Sequence, residues 1–333
     1  MALAEAIGLP FEKKSIDARP WELLTHLLPG PTLSGIDRGL SSPLQAPWPD
    51  LVITAGRRNE SVAHWIKQQS GDRSVLVQLG RPWSALSRWD LIVSTPQYFL
   101  PALDNVLVNR LPLHTQRSPE AALVSALRNR LGTMPHPYIA VLVGGDSGRF
   151  VFTPDKGRRL GQQLNALAEA SGGSLLLTDS PRTPARSFNA LLGEVTAARY
   201  CFRWGESDES NPYQGFLELA DQFVVTGESM SMLAEAAATG KPLHIFDMGD
   251  AGRFWWLHPH NFRYKPLSHR AAMRFGPERM RRDVGKIQQA LVNSGQAVWL
   301  GEPHADMAAA IEPDLRELEL TAARVHTLLS SAS

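Results

Sequence analysis

Short apolar runs alternate with longer amphipathic ones along most of the chain. In its first part, the runs at Leu51–Thr54, Ser74–Gln78, Asp90–Ser94 and Val106–Val108 predict short buried strands. The periodicity of Glu60–Gln69 predicts a helix between the first two of them. Strands that alternate with helices are typical of βα units built on a parallel sheet. The pattern therefore predicts an α/β fold.

The same alternation recurs after a stiff connection. Pro119–Leu131 predicts an amphipathic helix, and the two-proline segment Gly132–Pro137 follows it, so we place a domain boundary there. Beyond it, strands are predicted at Tyr138–Val143, Ser174–Thr178, Ala198–Phe202, Phe223–Thr226 and Leu243–Phe246. Doubly wound sheets bind ligands at the carboxyl ends of their strands. We expect a ligand site in the loops that follow these strands.

We therefore divide the chain into an N-terminal Rossmann-like domain (1–134), a C-terminal Rossmann-like domain (138–300) and a helical segment (301–333) that packs back on the first domain. The beginning of the chain fits this division less simply. Ala2–Ile7 predicts a short helix and Phe11–Ile16 a strand, so the first domain opens on a helix with no strand before it. Two interpretations stay open: a strand precedes this sequence, or the helix is an addition.

Composition and charge narrow the function classes. The chain has 34 Lys+Arg against 33 Asp+Glu, and a formal charge of +1 leaves no bulk field for nucleic-acid binding. One cysteine, Cys201, excludes an internal disulfide framework and a cysteine-based zinc cluster. His258 and His260 form an H-x-H, but no third ligand stands at a recognised metal spacing. We predict no metal site and no nucleic-acid partner.

The sequence indicates a cytoplasmic protein with one unusual segment. No apolar stretch reaches the roughly 20 residues that cross a bilayer, and Met1–Ile7 lacks the features of a signal peptide. Arg253–Lys286 holds nine Lys/Arg and two acids, interleaved with aromatics such as Trp255 and Trp256. This pattern predicts peripheral contact with an anionic surface on the inner face of a membrane. A solvated basic helix face with core aromatics is the alternative.

The sharpest local signal is a glycine-rich loop after the strand Tyr138–Val143. Gly144, Gly145 and Ser147 would let backbone amides approach an anion closely, and a helix after them would add its positive end. The loop matches neither the P-loop nor the G-x-G-x-x-G fingerprint, so it predicts neither ATP hydrolysis nor dinucleotide binding. A phosphate loop and a purely structural turn both fit it.

A second polar loop follows the strand Ser174–Thr178. It carries hydroxyls at Thr178 and Ser180 and places Arg182 between two prolines. An arginine can bind a phosphate with two parallel hydrogen bonds, so a rigid loop of this kind suits an anion. The alternative is helix capping by Ser180 or Thr183, with Arg182 in solvent.

A third loop begins at Gly227 and leads into a helix. Ser229 or Ser231 is placed to cap that helix. Glu228 and Glu235 are seven residues apart, two helical turns, so we expect both carboxylates near one face and toward the same crevice. Carboxylates there can accept hydrogen bonds from ribose or sugar hydroxyls. Capping and dipole compensation would explain Glu228 without function, but not Glu235.

Together these residues strongly resemble the mitochondrial-fission "elongated mitochondria" family. The resemblance covers nearly the whole chain and is densest in the segments Val143–Gly148, Thr178–Pro184, Asn211–Tyr213 and Val225–Pro242. A plant member of that family acts as an adaptor that brings a dynamin-related protein to mitochondria. The family's architecture is similar to GT-B glycosyltransferases, so the resemblance implies an α/β fold of two Rossmann-like doubly wound domains facing across a cleft.

The resemblance also implies the ligand, a nucleotide-diphosphate sugar in the second domain. It places the glycine loop, Ser180 and Arg182 at the diphosphate, the amides of Ser229–Ser231 on the phosphates, Glu235 on the ribose, and Phe202 or Trp204 on the base. The full implied set is Gly144, Gly145, Ser147, Thr178, Ser180, Arg182, Phe202, Glu228, Ser229, Met230, Ser231 and Glu235. No cofactor is implied, because helix dipoles, amides and arginine can hold the leaving diphosphate.

The sequence departs from the family pattern in two places. The family has a first strand and a loop with a Gly-His pair before a helix similar to Ala2–Ile7, and this sequence begins inside that helix. The family also tends to have two arginines where Pro181–Arg182 stands here. The first departure concerns the acceptor side of the implied site, and the second concerns one phosphate contact.

Three functions stay open at this point. The first is a glycosyltransferase that moves a sugar from a nucleotide diphosphate to an envelope glycolipid or polysaccharide precursor. Its candidate general bases are Glu60 and Asp104, each of which also fits a surface or capping role. The second is a non-catalytic adaptor that binds a protein partner, and the third is a nucleotide-sugar epimerase.

Overall fold

A computed structural model of the chain describes residues 1–21, 31–114, 119–147, 150–206, 211–249, 271, 274–276, 281–302 and 316–332. They divide into two compact units, each with its own sheet. Unit 1 contains the described residues up to Leu113 together with the C-terminal helix. Unit 2 contains the described residues from His114 to Glu302.

Helices and strands alternate through most of unit 2, whereas the last three strands of unit 1 follow one another with only short 3-10 turns between them. The strands are β1 (Leu51–Ala55), β2 (Val75–Leu79), β3 (Leu91–Ser94), β4 (Val106–Val108), β5 (Tyr138–Leu142), β6 (Ser174–Thr178), β7 (Arg199–Phe202), β8 (Gln222–Thr226), β9 (Leu243–Phe246) and β10 (Val298–Trp299). The helices are α1 (Ala2–Ile7), α2 (Glu60–Gln69), α3 (Ala121–Leu131), α4 (Pro154–Ser171), α5 (Ala185–Glu194), α6 (Tyr213–Leu219), α7 (Met230–Ala237), α8 (Gly285–Asn293) and α9 (Arg316–Ala332). The α/β class with parallel sheets that the sequence predicts is confirmed.

Unit 1 is built on a four-stranded parallel sheet, β1-β2-β3-β4, whose strands lie side by side in chain order. On one face, Ala63 of α2 packs against Leu76 and Ile92. On the other face, α1 and α9 share a core with Val77 and Val93. The order of these four strands does not reverse, so the described part of unit 1 shows no switch point of the kind that doubly wound sheets have.

The C-terminal helix α9 belongs to unit 1. The carboxylate of Glu317 accepts hydrogen bonds from the backbone amides of Arg110 and Leu111, just after β4. Near the other end of the helix, His326 Nε2 lies 2.9 Å from the carbonyl oxygen of Ile7 in α1. These hydrogen bonds attach α9 to the segment after β4 and to the first helix.

The strand predicted at Phe11–Ile16 is wrong. The chain there is irregular, and its partners are the turns near residue 40. The amide of Ser15 donates to Ser42 Oγ, and that of Asp17 donates to Ser41 Oγ, each at 2.9 Å. Because these amides bond to side chains, the segment runs along a loop and does not add a strand to the sheet.

Unit 2 has a six-stranded parallel sheet in the order β10-β9-β8-β5-β6-β7. The chain moves outward from β5 to β6 and β7, then returns to the other side of β5 with β8 and continues to β9 and β10. This reversal makes the unit doubly wound, as predicted. The switch point lies between β5 and β8, and open α/β sheets bind ligands at the carboxyl ends of such strands.

Candidate functional site

The carboxyl ends of β5 and β8 are joined by a buried threonine at the switch point. Thr226 Oγ1 accepts a hydrogen bond from the Gly144 amide at 2.8 Å. The same hydroxyl donates to Glu228 Oε1 at 3.2 Å. Thr226 and Glu228 are both almost fully buried. The glycine loop and the loop before α7 therefore form one packed structure.

The two glycines allow three loops to meet. A Cβ atom at Gly144 would lie 2.3 Å from Glu228 Oε1 and 2.6 Å from Ser229 Cβ. Gly145 has a φ of +97°, and a Cβ there would lie 2.3 Å from the carbonyl oxygen of Arg182. Real Cβ atoms do not approach other atoms so closely, so neither position has space for a side chain.

Three amides of the glycine loop, those of Gly144, Asp146 and Ser147, are already hydrogen-bonded. Besides the bond from Gly144 to Thr226, the Asp146 amide donates to the Arg182 carbonyl at 3.0 Å. The Ser147 amide donates to the Phe150 carbonyl, also at 3.0 Å. The predicted cradle of amides at Gly144 and Ser147 is therefore not presented in this conformation. The glycines serve close packing against the two neighbouring loops.

Hydroxyl groups connect the loop after β6 to the end of β5. Ser180 Oγ donates to the Gly144 carbonyl. Thr183 Oγ1 donates to the Val143 carbonyl at 3.0 Å and accepts from the Ser180 amide at 2.9 Å. Thr178 is buried, and its hydroxyl donates to the Asp179 carbonyl at 3.3 Å. Its contacts are those of a residue that supports the loop. These bonds fix the loop that carries Arg182.

Arg182 extends across the three loops and does not simply point into solvent. Its Nη1 donates to the Asp146 carbonyl at 3.2 Å, and its Nη2 lies 3.5 Å from Ser229 Oγ. The side chain is half-buried. A guanidinium group held in this way can donate to a phosphate that reaches the switch point.

Helix α7 begins at Met230, with Ser229 at the N-cap position. The Ser229 side chain makes no capping hydrogen bond. The first amides of a helix have no intrahelical acceptor, and this end of the helix carries partial positive charge. The amides of Met230 and Ser231, which the family resemblance implies as phosphate donors, lie in this first turn.

The prediction that Glu228 and Glu235 share one helical face is wrong. Glu228 precedes α7 by two residues, so the two-turn spacing does not apply to it. Its carboxyl group is 1% exposed, and Oε2 has no hydrogen-bond partner within the described part of the chain. Burial raises the pKa of Glu228 to about 8, with Arg182 opposing the shift and Asp146 adding to it.

Glu235 lies on α7 and is paired with a tyrosine of α6. The Tyr213 hydroxyl donates to Glu235 Oε2. Burial raises the pKa of Glu235, against the effects of the Tyr213 hydrogen bond and of His114. Burial and the neighbouring carboxylate also raise the pKa of Tyr213. Tyr213 therefore orients Glu235.

Of the two aromatic candidates for stacking on a base, Trp204 fits better. Phe202 is only 6% exposed and its ring belongs to the interior, which corrects the prediction for that residue. Trp204 is 48% exposed, and its backbone amide donates to Asp179 Oδ1 at 2.6 Å. Burial raises the pKa of that aspartate. Asp179 thus fixes the backbone at Trp204, whose side chain is exposed after β7.

The two candidate general bases of unit 1, Glu60 and Asp104, make contacts that hold the fold together. Glu60 is fully buried, and its carboxylate accepts from the amides of Trp83 and Ser84 at 2.7 and 2.9 Å. Asp104 is exposed, and its carbonyl oxygen accepts from Arg324 of α9. The geometry supports the structural alternative for both residues.

We expect Glu60→Ala to lower the free energy of unfolding of unit 1 by about 1–3 kcal/mol, because two buried amides would lose their acceptor. Urea unfolding measures this change. Asp104→Ala is the matched control, since its side chain is exposed, and it should change stability little. A Glu60→Ala protein as stable as its parent would return Glu60 to the list of candidate bases.

Several residues of the site carried no predicted role. Thr226 and Tyr213 lie inside the segments that the sequence analysis marked as functional, so their place in the sequence could have indicated them. Gln288 of α8 donates from Nε2 to the Gly227 carbonyl at 2.5 Å, and nothing in the local sequence indicates this contact. It comes from an element 61 residues away.

Some predictions fall largely outside the described residues. His258, His260 and most of the basic segment Arg253–Lys286 lie there. Within the part that the structure describes, no group of three or more His, Cys, Asp or Glu could hold a metal ion. None of the described helices is long and apolar enough to cross a membrane.

The sequence model of one family, described as Mitochondrial fission ELM1, matches residues 1–262. The chain belongs to this family. The ELM1 family match spans the site described above, from the glycine loop to Glu235.

Two proteins are similar to this chain over part of their own length. The chain is 28% identical to the mitochondrial fission protein ELM1 of Arabidopsis thaliana over 221 residues, 59% of this chain and 51% of that protein. It is 26% identical to an uncharacterised protein of Rickettsia prowazekii over 233 residues, 60% of this chain and 64% of that protein. The chain thus spans about half to two thirds of these relatives.

Two solved structures that are similar to the chain are an epimerase and a glycosyltransferase. A UDP-GlcNAc 2-epimerase from Methanocaldococcus jannaschii has a TM-score of 0.45 and 9% identity, covering 84% of this chain and 77% of that one. A glycosyltransferase from Rickettsia africae has a TM-score of 0.41 and 10% identity, covering 85% and 78%.

Proposed function

We propose that unit 2 binds a nucleotide-diphosphate sugar and that the chain is a glycosyltransferase of the GT-B-like kind. The observation that carries this proposal is the meeting of Arg182 with the uncapped start of α7 at the switch point, where Nη2 lies 3.5 Å from Ser229 Oγ. A cation and a helix N-terminus in one place suit a diphosphate. The acceptor would be an envelope glycolipid or polysaccharide precursor.

The chain's own donors suit the chemistry of such a transfer. When a sugar leaves a nucleotide diphosphate, negative charge develops on the departing phosphate oxygen. Donors fixed before the reaction stabilise that charge, because they need no reorganisation as it forms. Arg182 is held by the Asp146 carbonyl, and the α7 amides are held by the helix, so both are fixed in this sense.

Glu235 is the proposed ribose ligand, because Tyr213 orients its carboxylate and hydroxyl groups are good donors to it. Trp204 is the proposed stacking surface for the base, because Asp179 fixes its backbone and the residue is exposed. Trp204 follows β7, Glu235 lies on the helix that follows β8, and both strands belong to the same sheet as β6, which precedes Arg182.

The first experiment is a thermal-shift screen with UDP, GDP, CMP, ADP and their sugars. A ligand that binds the native state raises the melting temperature by mass action. We expect one nucleotide diphosphate to raise it selectively. Glu235→Gln should reduce this shift and also the preference for a ribonucleotide over its 2′-deoxy analogue, because the ribose loses a charged acceptor.

Tyr213→Phe is the companion variant, which keeps Glu235 but removes its orienting hydroxyl, so a smaller loss of the same preference is expected. If no nucleotide shifts the parent protein, the donor site is refuted. Equal shifts for the parent and Glu235→Gln would remove only the ribose assignment.

Membership of the ELM1 family supports a second candidate function, a non-catalytic adaptor that binds a protein partner. The relative from Arabidopsis is called a mitochondrial fission protein. Fold alone does not separate an adaptor from an enzyme. Nucleotide binding without release of sugar to any acceptor, together with retention of a protein partner, would favour the adaptor.

A further inference from the structure

Glu228 is an unexpected neighbour for an anion site. Its Oε1 lies against Gly144, close to Ser229 at the start of α7, and the charge of Arg182 acts on it, yet the residue is 1% exposed. Oε1 has the Thr226 hydroxyl at 3.2 Å, and Oε2 has no partner among the described residues. An ionised carboxylate buried with so few donors is costly, and it would also repel a phosphate.

The charged groups around Glu228 come from two loops. Asp146, in the loop after β5, adds negative charge, and Arg182, in the loop after β6, adds positive charge. The remaining contacts are neutral: Thr226 at the end of β8 and the backbone amide of Glu228 itself donate hydrogen bonds to the carboxyl group, and Gln288 of α8 bonds to the neighbouring Gly227 carbonyl. The charges of Asp146 and Arg182 act in opposite directions, so burial decides the state of the carboxyl group.

We propose that Glu228 is held as a neutral carboxylic acid beside the anion site, and that binding of a diphosphate there is coupled to its remaining protonated. This inference rests on the proposed function, whose site it shares. In the neutral form, Glu228 leaves the charge of Arg182 to the phosphate. In the ionised form, it offsets that charge and repels the ligand.

The coupling acts in both directions. A bound diphosphate places negative charge near Glu228 and so favours its protonated form, and protonation in turn favours the diphosphate by the same factor. Burial raises the pKa of Glu228 to about 8, so the carboxyl group loses its proton just above neutral pH. We therefore expect diphosphate binding to weaken as the pH rises through 8.

The first test needs no ligand. The folded protein holds a proton on Glu228 between its ordinary pKa of 4.5 and about 8, whereas the unfolded chain does not. The contribution of Glu228 to stability is therefore complete below the lower value and is lost as the pH rises toward the higher one. The urea midpoint of the parent should fall relative to that of Glu228→Gln over this window.

A matched control isolates this effect. Glu169→Gln removes an exposed carboxylate from α4 of the same unit. Its urea midpoint should change with pH in the same way as that of the parent. If the urea midpoints of the parent and of Glu228→Gln also change with pH in the same way, the inference is overturned, because Glu228 would then be ionised over the whole window.

The second test measures binding of inorganic pyrophosphate and of UDP by calorimetry, at about pH 7 and about pH 9. A group with a pKa of about 8 is ionised in roughly nine molecules of ten at pH 9, so the parent should lose about tenfold in affinity relative to Glu228→Gln. Because both proteins meet the same ligand, the ligand's own titration cancels in this ratio. A large loss of binding by Glu228→Gln at pH 7 would overturn the inference.

The two ligands separate this inference from the proposed function. If pyrophosphate shows the expected loss of affinity with pH but UDP binds no more tightly than pyrophosphate, the coupling is supported and the nucleotide site is refuted. If UDP binds more tightly and the ratio does not change with pH, the nucleotide site stands and the coupling fails. If neither ligand binds the parent, both are refuted.

Should Glu228→Gln fail to fold, the parent alone provides the answer. UDP binding near pH 8.5 should take up protons, seen as a binding enthalpy that varies with the ionisation enthalpy of the buffer. Proton uptake supports the coupling, and an enthalpy independent of the buffer refutes it.

Discussion

Gly145→Ala should destabilise unit 2 by about 2–5 kcal/mol and abolish diphosphate binding with it. The residue has a φ of +97°, and an added Cβ would lie 2.3 Å from the Arg182 carbonyl oxygen and 2.6 Å from Thr183 Cα. Both of these atoms belong to the backbone, so they cannot rotate away. Urea unfolding followed by tryptophan fluorescence measures the loss.

Gly193→Ala is the matched control for this variant. Gly193 lies in α5 of the same unit, and a Cβ there would meet nothing within 4 Å. Alanine is the better helix former, so this change should leave the protein equally stable or raise its stability by up to about 1 kcal/mol. A Gly145→Ala protein that is as stable as Gly193→Ala would mean that the two loops are not packed as the structure has them.

Arg182→Ala should weaken nucleotide-diphosphate binding by about 1–3 kcal/mol, the range for loss of a charged hydrogen bond. The fold should persist, because the backbone of Arg182 keeps its hydrogen bond from the Asp146 amide at 3.0 Å. Arg182→Lys should bind the diphosphate with an affinity between those of the parent and Arg182→Ala, because lysine keeps the charge but cannot donate two parallel hydrogen bonds. Calorimetry with UDP or another diphosphate that shifts the melting temperature measures all three.

Arg186→Ala serves as the control for charge alone. Arg186 lies in α5, four residues further along the chain, and is exposed, so its removal changes the net charge equally without touching the site. Its binding should match that of the parent. If Arg182→Ala binds as tightly as Arg186→Ala, the anion site does not include Arg182.

Local pattern was sufficient to predict most elements. The helices Ala2–Ile7 and Glu60–Gln69 and the strands Val106–Val108, Ser174–Thr178 and Leu243–Phe246 have the predicted bounds. Their apolar spacing is a property of neighbouring residues, and it survives in the folded chain because each element buries its own apolar side. The strand predicted at Phe11–Ile16 failed because its amides found partners in a distant turn.

The sequence by itself determined the α/β class, the family and the three loops at the carboxyl ends of the strands of unit 2. Glycines, hydroxyls and an arginine after apolar strands are readable because strand and loop are adjacent in the chain. Tertiary structure alone decided what each of these residues does. The amides of Gly144 and Ser147 are occupied, Glu228 is buried before the helix begins, and Glu235 has Tyr213 as its partner. Each of these outcomes depends on which groups the fold brings within hydrogen-bond distance and on how much water it leaves around them, and neither quantity is a property of a local stretch of sequence.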